Sequence, residues 1–170
     1  MDNAPSAVGA TLLSVLTTDQ KGIVAEMKIA AVALAAGVGV AQPMGAERYD
    51  LIFDLGPTLI RVQCKWAVRL GDVVVIRARR VRRGAEGLIR RPYLPGEIDA
   101  IVGYCAGTEG CYYLPTELSV ERAAVQLRLA PTKNNQALGI NWARDFELGA
   151  TLARLQGPIA QLGERQSGRL

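Results

Sequence analysis

Asp50 followed by Gln63-Cys64-Lys65 is the short cluster in this chain whose residue types and spacing could do chemistry on a phosphodiester. An acid on one apolar strand precedes a Gln-x-Lys on the next, with Gly56-Pro57 turning the chain between them. A hard cation such as Mg²⁺ takes oxygen ligands and keeps several waters. Asp50 offers a carboxylate, and the backbone carbonyl of Cys64, between the two functional side chains, offers a second oxygen. Glu26 can approach from a preceding helix, directly or through water. Lys65 can orient the attacking water and stabilise charge on the phosphate. Metal binding makes water nucleophilic near neutral pH. The chain has no histidine, which excludes His-based triads, zinc sites with His ligands and His general bases, but leaves metal-and-lysine chemistry intact.

The elements that must position these groups follow from periodicity. Residues 17–36 read as a helix, started by a capping box of Thr17 with Gln20 and ended by Gly37 and Gly39. At helical spacing Glu26 shares a face with Ile23, Ile29, Ala30 and Ala33. A carboxylate there is costly to bury unpaired, so Glu26 is expected at the rim of the core or beside a cation. Residues 49–54 and 59–66 alternate as strands around the turn at 55–58. If Asp54 pairs with Leu59, Asp50 lies directly opposite Gln63 and Lys65 is a diagonal neighbour, about 7–8 Å away. A slip of one residue would destroy the alignment. Residues 73–79 form a third strand, 98–105 and 111–114 a hairpin around Gly107 and Gly110, and 140–155 a helix. Residues 120–129 fit a short helix or a strand.

Simpler readings stand beside these. Asp50 and Lys65 could be a cross-strand ion pair, and Glu26 a rim carboxylate paired with Arg48. Asp99 reads as structural, fixing a turn or an arginine. Asp54 is a weaker ligand candidate because it lies nearer the turn. Trp66 and Trp142 read as core residues, and Cys105 and Cys111 as strand residues.

The chain has 170 residues, 49% hydrophobic and 21% charged, which suits one domain. No apolar run is long and uninterrupted enough to span a bilayer, and the apolar opening lacks a basic n-region. Three cysteines without a spaced framework point to a reducing cytoplasm. The net charge of +4 is unevenly placed. Arg77, Arg79, Arg80, Arg82, Arg83, Arg90 and Arg91 crowd one stretch, opposed there only by Glu86. Such a field attracts a phosphate backbone, and guanidinium matches phosphate geometry. Otherwise the stretch is a solvated edge hairpin protected by charge.

These residues carry a resemblance. Gln20-Lys21-Gly22 through Ala25-Glu26, Arg48-Tyr49-Asp50-Leu51 and Val62-Gln63-Cys64-Lys65 resemble the PD-(D/E)xK nuclease superfamily. With Gly96-Glu97-Ile98-Asp99 leading to Tyr104-Cys105, and Asn135-Gln136 leading to residues 140–143, they resemble its small branch of cyanobacterial group I intron-encoded homing endonucleases. The likeness spans roughly residues 17–148. It implies an α/β (α+β) fold with a restriction-endonuclease-like core, a mixed β-sheet flanked by helices. It implies Asp50 as the central metal ligand, Gln63 where most of the superfamily has an acid, Lys65 as the motif lysine and Glu26 as the helix-borne carboxylate. Gln63 removes a negative charge, and Tyr49 stands where the motif has proline.

The expected protein is therefore a Mg²⁺-dependent endodeoxyribonuclease, with Mn²⁺ as a substitute. It would hydrolyse phosphodiester bonds in double-stranded DNA, away from membranes, as a homodimer or homotetramer in the cytoplasm. The alternatives are a junction-resolving or repair nuclease, and a non-catalytic nucleic-acid-binding module. The expected organisation is a flexible leader at 1–16, the nuclease-like domain at 17–150 and a disordered tail at 151–170. Ile159 to Arg165 also resembles the in-frame translation of a tRNA-gene D-arm. A genomic sequence with other codons there would end that idea.

Overall fold

The structure is a computed structural model that describes residues 15–84, 87–120, 122–131 and 138–166, except the side chains of 80–84, 88–90 and 158–166. Helix α1 spans Thr18–Ala35. Its capping box forms as expected: the Gln20 N–H donates to Thr17 Oγ1 at 3.2 Å, and the Thr17 N–H donates to Gln20 Oε1 at 2.9 Å. Gly37, at φ 77°, closes a Schellman motif in which Gly37 N–H reaches Leu34 O and Val38 N–H reaches Ala33 O, each at 3.0 Å.

The buried face of α1 is Ala25, Ile29 and Ala33, whereas Ile23 is 58% exposed. The expected face is thus rolled about the axis. Apolar residues nearly encircle this helix, so periodicity leaves its phase open; the sheet selects the row with two alanines, which allows close approach. Glu26 keeps its expected place at the rim, half-buried.

The remaining elements are β1 (Gly39–Ala41), β2 (Leu51–Asp54), β3 (Leu59–Leu70), β4 (Val73–Arg77), β5 (Arg80–Gly84), β6 (Gly87–Arg91), β7 (Ala100–Cys105), β8 (Gly110–Pro115), α2 (Thr116–Ser119), β9 (Ala124–Arg128), a 3₁₀ turn (Ala143–Phe146) and α3 (Leu148–Gln166). Seven strands form one mixed sheet in which β1, β2, β3, β4 and β9 follow in order and β7 and β8 extend from β3. The fold is the expected mixed sheet flanked by helices.

Long β3 organises the sheet. Its first residues pair antiparallel with β2, Val62 to Ala67 pair parallel with β7, and Val68 to Leu70 turn antiparallel into β4. A parallel pair needs a crossover, and here β4, the hairpin β5–β6 and the following loop provide it. The arginine-rich stretch is that hairpin, a separate two-stranded sheet whose register sets Arg80 against Arg91 and Val81 against Arg90.

Alternation along β3 divides the core. Val62 and Cys64 join Leu51, Phe53 and Val102 beneath α1; Ala67 joins Val74, Ile76, Ile101 and Leu114 on the other face. Gly103, beside Lys65 in the parallel ladder, lets Ile76 close over the sheet, since a Cβ there would lie 2.8 Å from the isoleucine side chain.

One open reading resolves and one expectation needs correction. Within the span 120–129, which fits a short helix or a strand, Ala124–Arg128 form strand β9, with Val125 and Leu127 buried in alternation. The expected helix over 140–155 starts later, because the Arg128 N–H donates to Asn141 O at 2.7 Å and Trp142 bridges to Arg128. That tertiary pairing outweighs local helical preference. Helix α3 then runs past residue 150, and Leu152 is fully buried against α1's core. The backbone is helical through Gln166, including the stretch that resembles a tRNA-gene translation. The leader's residues 1–14 and the tail's residues 167–170 lie outside the described residues.

Candidate active site

The register expected for the β2–β3 hairpin is the one observed. Asp54 pairs with Leu59 and Leu51 with Val62, so Asp50, one residue before β2, stands opposite Gln63. The turn is closed by Leu55 N–H to Thr58 O at 3.0 Å. Asp54 Oδ1 caps it by accepting from the Gly56 N–H at 2.8 Å, which engages Asp54 away from the cluster.

Asp50 sits where β3 loses its partner strand. Its N–H donates to Val62 O at 2.9 Å. Two residues further on, the Cys64 N–H points to the same edge and donates to Asp50 Oδ2 at 2.8 Å. The Gln63 amide also donates to that oxygen, and its Nε2 lies 3.4 Å from the Cys64 carbonyl. The carboxylate, the amide and the Cys64 carbonyl therefore share one sheet edge. The Cys64 thiol lies on the opposite course, in the core, where burial pushes its pKa up.

Burial raises the pKa of Asp50, against lowering by the Cys64 N–H, Lys65 and Gln63. Burial also raises Glu26, and the charge of Asp50 raises it further. Two carboxylates are thus held close enough to repel. Glu26 makes no hydrogen bond or ion pair among the described residues, and Arg48 pairs with Glu97 instead. The Lys65 Nζ lies 5.5 Å from the centroid of the Tyr93 ring. Among the described residues, no group of three or more His, Cys, Asp or Glu gathers as a metal site. The hard oxygens that share this edge are the Asp50 carboxylate and the Cys64 carbonyl, with Glu26 near enough for the Asp50 charge to raise its pKa. Such a set fits a hard divalent cation.

The expected arginines divide. Arg77 is exposed at the end of β4. Arg79 is half-buried, and its Nε has no hydrogen-bond partner among the described residues. Arg80, Arg82, Arg83 and Arg90 lie on the hairpin, with side chains outside the described residues. Arg91 is engaged: its Nη2 donates to Glu97 Oε1 at 2.9 Å and its Nη1 to Glu97 Oε2 at 3.3 Å.

Asp99 fixes an arginine, as read from the sequence. It accepts from Arg61 Nε at 2.9 Å, Nη2 at 2.8 Å and the backbone N–H at 2.8 Å. Trp66 packs against the core and meets Tyr104 edge-to-face at 5.5 Å. Sequence reasoning missed Tyr93 and Glu97 as neighbours of the cluster. Their signal was contact across long sequence separation, which spacing does not reveal.

Arg91 foremost, with the Leu94 N–H and Arg48, holds the Glu97 carboxyl down at about 2, from an ordinary 4.5. A depressed carboxyl contributes stability that is present above its ordinary pKa and lost as pH falls through its folded value. The stability gap between wild type and Glu97→Gln is therefore expected to be full at neutral pH and to close between pH 4.5 and about 2. Urea titrations across that window check it; a gap unchanged by acid would contradict the ion-pair account.

The family model described as PD-(D/E)XK endonuclease matches residues 16–149. The fold is similar to that of the bacterial homing endonuclease I-Ssp6803I, with a TM-score of 0.63 and 26% sequence identity, over 91% of this chain and 100% of that one. Among curated proteins no significant match is found. No helix among the described residues is long and apolar enough to cross a membrane. The matched residues hold the whole Glu26, Asp50, Gln63, Lys65 cluster, and the chain belongs to the PD-(D/E)XK endonuclease family.

Proposed function

We propose that the protein is a Mg²⁺-dependent endonuclease of duplex DNA, of the site-specific homing type, in which Mn²⁺ can substitute. The observation that carries this reading is the convergence of the Asp50 carboxylate, the Cys64 carbonyl and the Gln63 amide on the edge that β2 leaves open. Asp50, Glu26 and the Cys64 carbonyl would hold the cation. When bound, the cation would supply Lewis-acid stabilisation of charge on the phosphoryl oxygens. Gln63 orients Asp50 through its amide. Lys65 contributes a localised positive charge for the phosphate and a donor for the attacking water. The neutral Gln63 leaves one negative charge fewer than an acid would, which selects weaker metal binding.

Arg77, Arg79 and the hairpin arginines Arg80, Arg82, Arg83 and Arg90 would supply backbone contacts to the duplex. A homodimer or homotetramer would let a domain of this size cover a long site and cut both strands. The apolar stripe of Ile23, Met27 and Leu34 on α1, 58%, 69% and 59% exposed, supports such assembly. Three free, buried cysteines suit a reducing cytoplasm.

Incubation of purified protein with supercoiled, linear and branched DNA, with Mg²⁺ and with chelator, tests the reading. Nicking is expected in Mg²⁺ and not in chelator, on those supercoiled and linear members of a randomised-sequence library that carry the recognised site. Cleavage confined to branched DNA would replace it with a junction-resolving nuclease. Salt-dependent binding with no cleavage in either metal would replace it with a binding module.

A further inference from the structure

The segment between β6 and β7 touches the chain just before each half of the site. Asp99 grips Arg61, two residues before Gln63, and its N–H donates to Arg61 O at 2.9 Å. Arg61 also reaches the Gly96 carbonyl. Tyr93 lies against Lys65. Glu97 sits at the centre. It takes Arg91 from the foot of the hairpin, the Leu94 N–H at 2.9 Å, and Arg48, two residues before Asp50. Its side chain is only 12% exposed, against 34% for Arg91 and 47% for Arg48.

Two features make this more than packing. Arg91 offers both terminal nitrogens to one carboxylate, the directional two-bond geometry that fixes orientation as well as distance. Those donors are then unavailable to a DNA phosphate, although Arg91 belongs to the arginine run. And Glu97 stands between two guanidinium groups, so its neutralisation would leave two cations facing each other and push the hairpin's foot away from the segment that carries Asp50.

We propose that Glu97, by bridging Arg91 and Arg48, is a positioning residue that couples the arginine hairpin to the segment that carries Asp50 into β2. A duplex held by the hairpin is thereby set in register with the cleavage site. Arg91 serves this joint and is not a phosphate contact. The proposal rests on the endonuclease reading above.

Single-turnover nicking at saturating enzyme, together with duplex affinity measured across salt concentrations in chelator, tests it. Misplacement by about 1 Å costs on the order of 100-fold in rate. Glu97→Gln and Arg91→Ala are each expected to slow saturated nicking by about 10-fold or more, and the double variant to be no slower than the slower single, because both break one joint. The slope of log affinity against log salt should match wild type for Arg91→Ala, since each lost phosphate contact would lower it by roughly 0.9. Glu97→Asp, which keeps the charge with shorter reach, should recover part of the rate even if Glu97→Gln folds poorly. A shallower salt slope for Arg91→Ala with multiplying losses in the double variant would make Arg91 a phosphate ligand and overturn the proposal. So would wild-type nicking rates in both single variants. If the wild type itself nicks no member of a randomised-sequence DNA library in Mg²⁺, the endonuclease reading has failed instead.

Discussion

Asp50→Asn is expected to abolish metal-dependent nicking while leaving a fold at least as stable as the wild type. The asparagine carbonyl can still accept from the Cys64 N–H, which the Asp50 carboxylate receives at 2.8 Å, so the open edge of β3 keeps its cap. What disappears is a charge whose burial raises the Asp50 pKa and which in turn raises that of Glu26. Removing it relieves desolvation and repulsion in the metal-free protein. It also removes the central anionic donor, and several kcal/mol of lost charge stabilisation corresponds to about three decades in rate. Asp50→Ala should separate the two effects. It loses the cap as well, leaving the Cys64 N–H unsatisfied at a cost of about 1–3 kcal/mol. Thermal melts in chelator, alongside nicking assays in Mg²⁺, read both quantities. Appreciable cleavage by Asp50→Asn would remove Asp50 from the centre of the site, and a lower melting temperature would contradict the burial argument.

Lys65→Ala is the second large effect. The Lys65 charge acts on Asp50, and its ammonium lies over the Tyr93 ring. It is half-buried on β3 beside Gly103 of β7, so its backbone is fixed by the parallel ladder rather than by its own side chain. The variant should therefore fold. Loss of one preorganised donor of this kind costs on the order of 10²–10³-fold in rate. Duplex affinity should stay near wild type, because binding draws on the arginines. Lys65→Arg is expected to rescue poorly, since a planar fork cannot replace a compact ammonium. Full nicking by Lys65→Ala would refute the site; loss of DNA binding in parallel with nicking would assign Lys65 to the duplex interface.

The local features of the site were legible because they depend on short-range physics. The capping box of Thr17 and Gln20, the Gly37 stop, and the turn at 55–58 mark the ends of α1 and the β2–β3 turn through contacts close in sequence. A side-chain period of two then leaves one register that keeps Leu51, Phe53 and Val62 buried, and that register sets Asp50 opposite Gln63. The face of α1 was not legible to the same degree. Its apolar residues run around the axis, and the row of Ala25, Ile29 and Ala33 emerges only when the sheet is present. The strand over 124–128 and the late start of α3 likewise depend on partners distant in sequence.

By itself, then, the sequence determined the acid, the Gln-x-Lys and the hairpin that opposes them, and its lack of histidine pointed toward a metal-and-lysine chemistry. The tertiary structure decided which of the charged groups are available. It gave Arg48 and Arg91 to Glu97 and Arg61 to Asp99, and it left Glu26 beside Asp50 with no cationic partner among the described residues. Spacing reports what a strand or helix places on one face, because backbone geometry repeats every few residues. Ion pairs across 30 or more residues depend on how the β3–β7 crossover folds back, and no local period encodes that path.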